Sequence, residues 1–218
     1  MSIKAPVTKP LSRTKAVDRT VQLKDRLLDA ATRFFMEKGF DGTSMGEIAK
    51  HAHASKETFY RHFPTKEDLF RAVILRRAEF LADELGSVLL SHDPPEKALA
   101  AFGELLLDRL IDPEAISLHR VISMEKARFP ELVSLFRAKG PIKVRTAVSK
   151  YLDEQVSKGR LREMDSAVGA RQFFDLVAAE MIMGATLANC PKPSKAAMQQ
   201  RVQEALVCFL RGYSPARK

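Results

Sequence analysis

The chain reads as an all-α protein: a small N-terminal three-helix head carrying a helix-turn-helix, followed by a larger helical bundle. Three observations predict this. Apolar residues recur at helical spacing through most of the 218 residues, and no segment alternates with the period of a strand. Within residues 43–63, helix-start signals stand on either side of a tight turn. Breakers at 92–95, 140–141 and 191–194 then cut the remainder into helices of ordinary length.

Element by element, residues 1–22 carry prolines, scattered apolar positions and an excess of Lys and Arg, which suits a flexible basic arm; the alternatives are an arm that reaches DNA and a solvated tail. A first helix is expected over Leu23–Lys38, with Leu27, Ala30, Ala31, Phe34 and Phe35 on one face and Gly39 as the residue that ends it. Ser44 with Glu47 forms an S-x-x-E capping box for the second helix. Ala52, His53 and Ala54 make the turn, and Ser55 caps the third helix. Thr65 with Asp68 starts a fourth helix that runs to near Leu90.

Beyond residues 92–95, helices are expected over about 96–111, 113–127, 131–138, 142–157, 166–189 and 195–212. Asp112 and Pro113 start the second of these, and Gly140-Pro141 kinks or splits the central pair. The domain boundaries implied are 1–22, 23–65 and 66–218.

Composition narrows the function classes. No run of eighteen apolar residues is present and the N-terminus lacks an apolar signal core, so a soluble, cytoplasmic protein with no membrane partner is expected. The formal net charge is +9. Residues 1–80 hold 16 Lys and Arg against 10 Asp and Glu, so most of the excess lies in the third of the chain that carries the helix-turn-helix. A polyanion is the partner that such a distribution suits. Cys190 and Cys208 have no metal or redox spacing and read as small buried hydrophobes.

The third helix carries the chemistry. Phe59 and Phe63, four apart, are its buried side. The face left outward presents Lys56, Glu57, Thr58, Tyr60, Arg61 and His62, groups suited to phosphates and base edges. Thr43 and Ser44, at a helix N-terminus where amides and macrodipole favour an anion, are expected to donate to phosphate; Ser55 and Lys66 stand at the other two helix starts. Glu57 either accepts from a cytosine amine or points away from the duplex.

Here the pattern acquires a family. From Arg26 to Leu75 the chain resembles the N-terminal domain of TetR-family transcriptional regulators, through Gly39-Phe40, Thr43, Ile48-Ala49, the Ala52–Ser55 turn, Thr58, Tyr60, His62-Phe63, Lys66-Glu67 and Leu69-Phe70. His53 departs from the pattern, which usually has Gly there; a positive φ at that position is one that His tolerates at modest strain. Leu118-His119-Arg120-Val121-Ile122, Glu125, Arg128-Phe129-Pro130-Glu131-Leu132 and Lys158-Gly159-Arg160-Leu161 look like the regulatory domain of the AefR-like branch.

The resemblance implies that Lys56 and Thr58 reach base edges or nearby phosphates, and that Tyr60 and His62 bond phosphate oxygens. It also implies a homodimer on a palindromic duplex operator and a small apolar or amphipathic effector. For the dimer, the stripe Met198, Val202, Ala205 and Phe209, with small Gly184 and Ala188 on the preceding helix, reads either as interface or as internal core. For the effector, Phe102, Leu106, Met124, Phe136, Phe173, Phe174 and Met183 line a pocket with His119 or Glu125 as polar anchor, or are plain core.

The expected function is a sequence-specific repressor released by its ligand, with an activator of the same family as the alternative. A helical enzyme with a nucleic-acid-docking head is a third reading. Against it, the chain has no Gly-rich phosphate loop, H-E-x-x-H, cysteine pair or G-x-S-x-G, so no catalytic residue, metal or cofactor is expected.

Overall fold

A computed structural model of the chain describes residues 11–91, 93–187 and 191–215. Every regular element among them is helical. Two compact units divide the chain between Val73 and Ile74.

The head begins with α1 (Leu11–Lys38), a 28-residue helix. It starts at Leu11 and not at Leu23, so the flexible arm expected over 1–22 is corrected for its second half; residues 1–10 lie outside the described residues. The reason is local: after Pro10 the chain has neither Gly nor Pro until Gly39, and Lys, Arg, Gln, Leu and Ala favour the helix already running behind them. Gly39, at φ 71°, ends it as expected.

Next come α2 (Met45–His51) and α3 (Lys56–His62), and then α4 (Lys66–Val88), which crosses from one unit to the other. The division therefore falls inside α4 and not at its start. Its first turns belong to the head because Leu69, Phe70 and Val73 are buried there: Phe70 meets Phe35 and Phe40 edge-on at 5.0 and 5.1 Å. Each fully buried ring of this kind contributes about 1.5–3 kcal/mol of transfer free energy. Thr65 caps α4 as expected, its Oγ1 accepting from the Asp68 amide at 3.0 Å and donating to the Asp68 carboxylate at 2.7 Å.

A 3₁₀ turn (Leu89–Ser91) leads to the second unit's helices: α5 (Pro95–Leu110), α6 (Pro113–Glu125), α7 (Pro130–Arg137), α8 (Lys143–Ser157), α9 (Ser166–Leu187) and α10 (Lys195–Tyr213). Asp112 caps α6 ahead of Pro113, and Ser194 caps α10 through the Ala197 amide. At Gly140-Pro141 the chain winds into one π-helical turn (Ala138–Ile142) that joins α7 to α8, the break that the missing Pro N–H requires. α8 packs along α9, and α10 along α5. The core between them is a relay of rings, Phe102 to Phe173 at 6.3 Å and Phe173 to Phe209 at 5.3 Å, closed by Leu99, Leu152 and Val202.

Candidate nucleic-acid interface

α3 is held from within and from its start. Phe59 and Phe63 are buried, anchoring one side in the head's core. At the N-terminus the Ser55 hydroxyl accepts from the Thr58 amide at 3.2 Å and donates to Thr58 Oγ1 at 2.8 Å, so cap and reading residue are one hydrogen-bonded unit. The opposite side carries Lys56, Glu57, Tyr60 and Arg61 exposed, and Thr58 and His62 half-buried. Tyr60, 47% exposed, stands edge-on to Phe59 at 5.9 Å, which braces its ring. All six residues expected to point outward are thus at least partly accessible, around the sides of the helix left by Phe59 and Phe63. The turn before it is set by His53, whose φ of 52° puts it in the left-handed region usually left to Gly. With that conformation the Ala54 amide returns to the Ala49 carbonyl at 3.0 Å and closes α2.

The start of α2 differs from expectation in two ways. Thr43 is buried, 4% exposed, and its hydroxyl donates to the carbonyls of Gly39 (2.7 Å) and Phe34 (3.1 Å). It is a lock on the end of α1 and no phosphate donor, because a hydroxyl has a single proton and that proton is committed inward. Nor does the Ser44–Glu47 box form: Ser44 is the cap by backbone angle but makes no side-chain cap bond, while Glu47 is drawn to Lys38 Nζ at 3.3 Å. A cation on the neighbouring helix outcompetes the backbone amide for that carboxylate. Ser44 is left with an exposed hydroxyl beside the first amides of α2. Lys66 lies over the Phe40 ring at 4.7 Å with Nζ on the Asp41 carbonyl at 3.3 Å, which fixes its stem and leaves ammonium protons to spare.

In the second unit the expected pocket residues do not converge. Phe102, Leu106 and Phe173 are fully packed core; Met124 and Met183 are on the surface, 72% and 61% exposed. His119 is half-buried edge-on to Phe136 at 5.8 Å, and burial pushes its pKa down. Phe174 is half-buried under Arg145, and Glu125 is half-buried at the end of α6. A cleft of about 440 Å³ instead opens where the end of α5, α6, α9 and the segment before α10 meet, with Ile111, Ile116, Arg120, Met181 and Lys192 in its walls.

The dimer stripe is corrected too. Met198, Val202, Ala205 and Phe209 are buried in the unit's own core. Gly184 borders the cleft, and Ala188 lies outside the described residues. Cys208 is exposed, not buried; Cys190 lies outside the described residues.

Comparison with known proteins agrees with this architecture. Residues 27–73 match the bacterial regulatory proteins of the tetR family. Residues 97–215, more than half of the chain, match the C-terminal domain of AefR-like transcriptional repressors. The chain belongs to the TetR family of transcriptional regulators. Among solved structures, a TetR-family regulator from Mesorhizobium loti is 30% identical with a TM-score of 0.85, over 90% of this chain and 99% of that one. The flavonoid-responsive regulator FrrA is likewise 30% identical, with a TM-score of 0.72 over 90% and 100%. The biofilm operon negative regulator IcaR of Staphylococcus epidermidis is 34% identical over 71 residues, 33% of this chain and 37% of that one. In that match this TetR-family chain spans less than half of the curated relative's length.

Two features of this TetR-family regulator had no readable sequence signal. The Lys38–Glu47 pair joins residues nine apart across a helix end. An ion-pair chain ties α4 to the cleft: Arg109 clamps Glu84 through Nε and Nη2 (2.8 and 2.6 Å), and Asp108 bridges Arg109 Nη1 and Lys192 Nζ at 3.0 Å each. The guanidinium's hydrogen bonds hold the Glu84 carboxyl below the usual carboxylate range. An alternation of acid and base over 108 residues cannot be picked out of a chain that is 29% charged.

Proposed function

We propose that this regulator is a homodimeric repressor that reads a palindromic operator in duplex DNA through α3 and is released by a small amphipathic effector. The observation that carries the reading is the α3 face: a capped helix whose core side is locked by Phe59 and Phe63 and whose outer side gathers ammonium, hydroxyl, phenol, guanidinium and imidazole donors. Lys56 and Thr58 reach base edges or the phosphates beside them. Tyr60, Arg61 and His62 hold backbone phosphates, with Ser44, Ser55 and Lys66 doing so from the helix starts. Glu57 accepts from a cytosine amine. Repression is supported by the AefR-like repressor domain and by the negative regulator among the relatives. A small-molecule effector is supported by the flavonoid-responsive neighbour and by the cleft in the second unit. Such a protein works where the DNA is, in the cytoplasm, and no described helix is long and apolar enough to cross a membrane.

One seven-residue reading helix makes too few contacts for a specific site, whereas two related by a two-fold axis double them. With the inner stripe of α10 consumed by the core, the outer face of α9 and α10 becomes the dimer surface. Leu176 and Cys208 line one groove there, and Val207 and Met183 are exposed nearby on the same two helices. Release requires an effector that favours a state in which the two reading helices no longer match successive major grooves. Selection of bound sequences from random duplexes tests the proposal. A two-fold symmetric site bound at about nanomolar affinity, weakening steeply with salt, is expected; recovery of sequences with no common element would overturn it.

A further inference from the structure

The Ser55–Thr58 pair fixes how the reading helix presents one of its hydroxyls. A threonine inside a helix is stiff at χ1 and can turn its Oγ1 back onto a carbonyl of the preceding turn. Here Thr58 Oγ1 instead accepts the Ser55 hydroxyl proton at 2.8 Å, while the Ser55 oxygen accepts from the Thr58 amide at 3.2 Å. Two bonds between the same two residues hold the Thr58 side chain in place, half-buried in the first turn of α3. A hydroxyl carries one proton and two lone pairs. The Ser55 proton lies on Thr58, so what Ser55 offers a phosphate is its amide. Thr58 has one lone pair filled by Ser55 and keeps its own proton, which no hydrogen bond among the described residues takes. Accepting one bond polarises a hydroxyl and makes it the better donor.

We infer that Ser55 is the positioning residue that makes Thr58 a hydrogen-bond donor to a keto base in the major groove, guanine through O6 or thymine through O4. The inference rests on the reading above, in which Thr58 reaches base edges. A threonine hydroxyl left to itself serves either kind of edge, because guanine O6 and thymine O4 accept while adenine N6 and cytosine N4 donate. One whose lone pair is held from behind does not serve both equally. The base preference at that position is therefore decided by the residue three places before the one that reads it.

Ser55→Asp keeps the cap and reverses the polarity. Aspartate caps a helix as well as serine, and its carboxylate can only accept, so it takes the Thr58 proton and leaves Thr58 with lone pairs alone. The full-length wild type, Ser55→Asp, Ser55→Thr and Thr58→Val are each put through selection from random duplexes, with thermal unfolding to show that they are folded. Thr58→Val should lose the preference at one base pair of each half-site, which marks the position that Thr58 reads. There the wild type and Ser55→Thr are expected to favour guanine or thymine on one strand by about tenfold, and Ser55→Asp to favour adenine or cytosine on that strand, with the rest of the site unchanged. The added carboxylate also repels phosphates, but it weakens all sequences alike and leaves the ranking of bases to report the polarity. An unchanged keto preference in Ser55→Asp, or a lost one with no reversal, would overturn the inference. So would a Thr58→Val variant that selects the wild-type site at every position. If the wild type itself selects no common site, the sequence-reading role falls first and the inference with it.

Discussion

Thr43 and His53 each make one interaction of the head depend on a single side chain. The Thr43 hydroxyl serves two carbonyls at the end of α1 from a nearly sealed position. Thr43→Val keeps the shape and removes the proton, so it should cost about 1–2 kcal/mol in thermal or denaturant unfolding. It should leave the salt dependence of DNA binding unchanged, since no phosphate contact is lost. At His53 the left-handed backbone is the issue. His53→Gly is expected to be neutral or stabilising by up to about 1 kcal/mol, and His53→Val, β-branched at positive φ, to destabilise by about 1–2 kcal/mol, both read from unfolding midpoints. The His53 conformation was legible because the turn pattern demands it. The Thr43 role was not: a Thr one residue before a cap looks the same whether its hydroxyl turns in or out, and only the position of the Phe34 and Gly39 carbonyls decides.

Helix extents could be read because caps and breakers are local. Asp112-Pro113, Thr65 with Asp68, Ser194 and Gly39 each act within a few residues of themselves. α1 starts well before the expected Leu23 because no breaker follows Pro10, and that absence decides over the scatter of apolar residues. Helix faces were harder. The α10 stripe of Met198, Val202, Ala205 and Phe209 is the same pattern whether it meets its own bundle or a second chain, and α5 is what takes it. The contact is tight at Gly103, where a Cβ would sit 2.9 Å from Val202 Cγ1. Gly103→Ala should therefore destabilise by about 1–3 kcal/mol despite Ala's better helix propensity, and Val202→Ala in the same chain should recover part of the loss. Additive losses in the double variant, seen by denaturant unfolding, would show that the two helices do not touch there.

For the molecule as a whole, the second unit's helices and its AefR-like motifs were as legible as the head, and its cleft was not. The head's motif packs fixed spacings into about fifty residues, whereas the cleft draws on the end of α5, α6, α9 and the approach to α10, with Ile111 and Lys192 far apart in sequence. No periodicity links such positions, and Phe102 and Phe173, large and apolar, lie in the packed core and not in the cleft wall. At this scale the proposed dimer is the strongest consequence. Leu176→Glu with Val207→Glu places charge on the outer face of α9 and α10 and leaves the core residues untouched. Sedimentation should find the variant monomeric at concentrations where the wild type is dimeric, with operator affinity reduced at least about a hundredfold. An unchanged dimer would move the interface elsewhere.

The central claim is that α3 reads sequence and does not merely grip phosphate. Its most direct measurement is the ratio of affinities for the selected operator and a scrambled duplex of equal length, taken for the wild type, Thr58→Ala and Arg61→Ala at matched salt. The account predicts a wild-type ratio of about a thousandfold or more. Thr58→Ala should erode it roughly tenfold, and Arg61→Ala should weaken both duplexes alike. A wild-type ratio near one, with Thr58→Ala indistinguishable from the wild type on both duplexes, would contradict it.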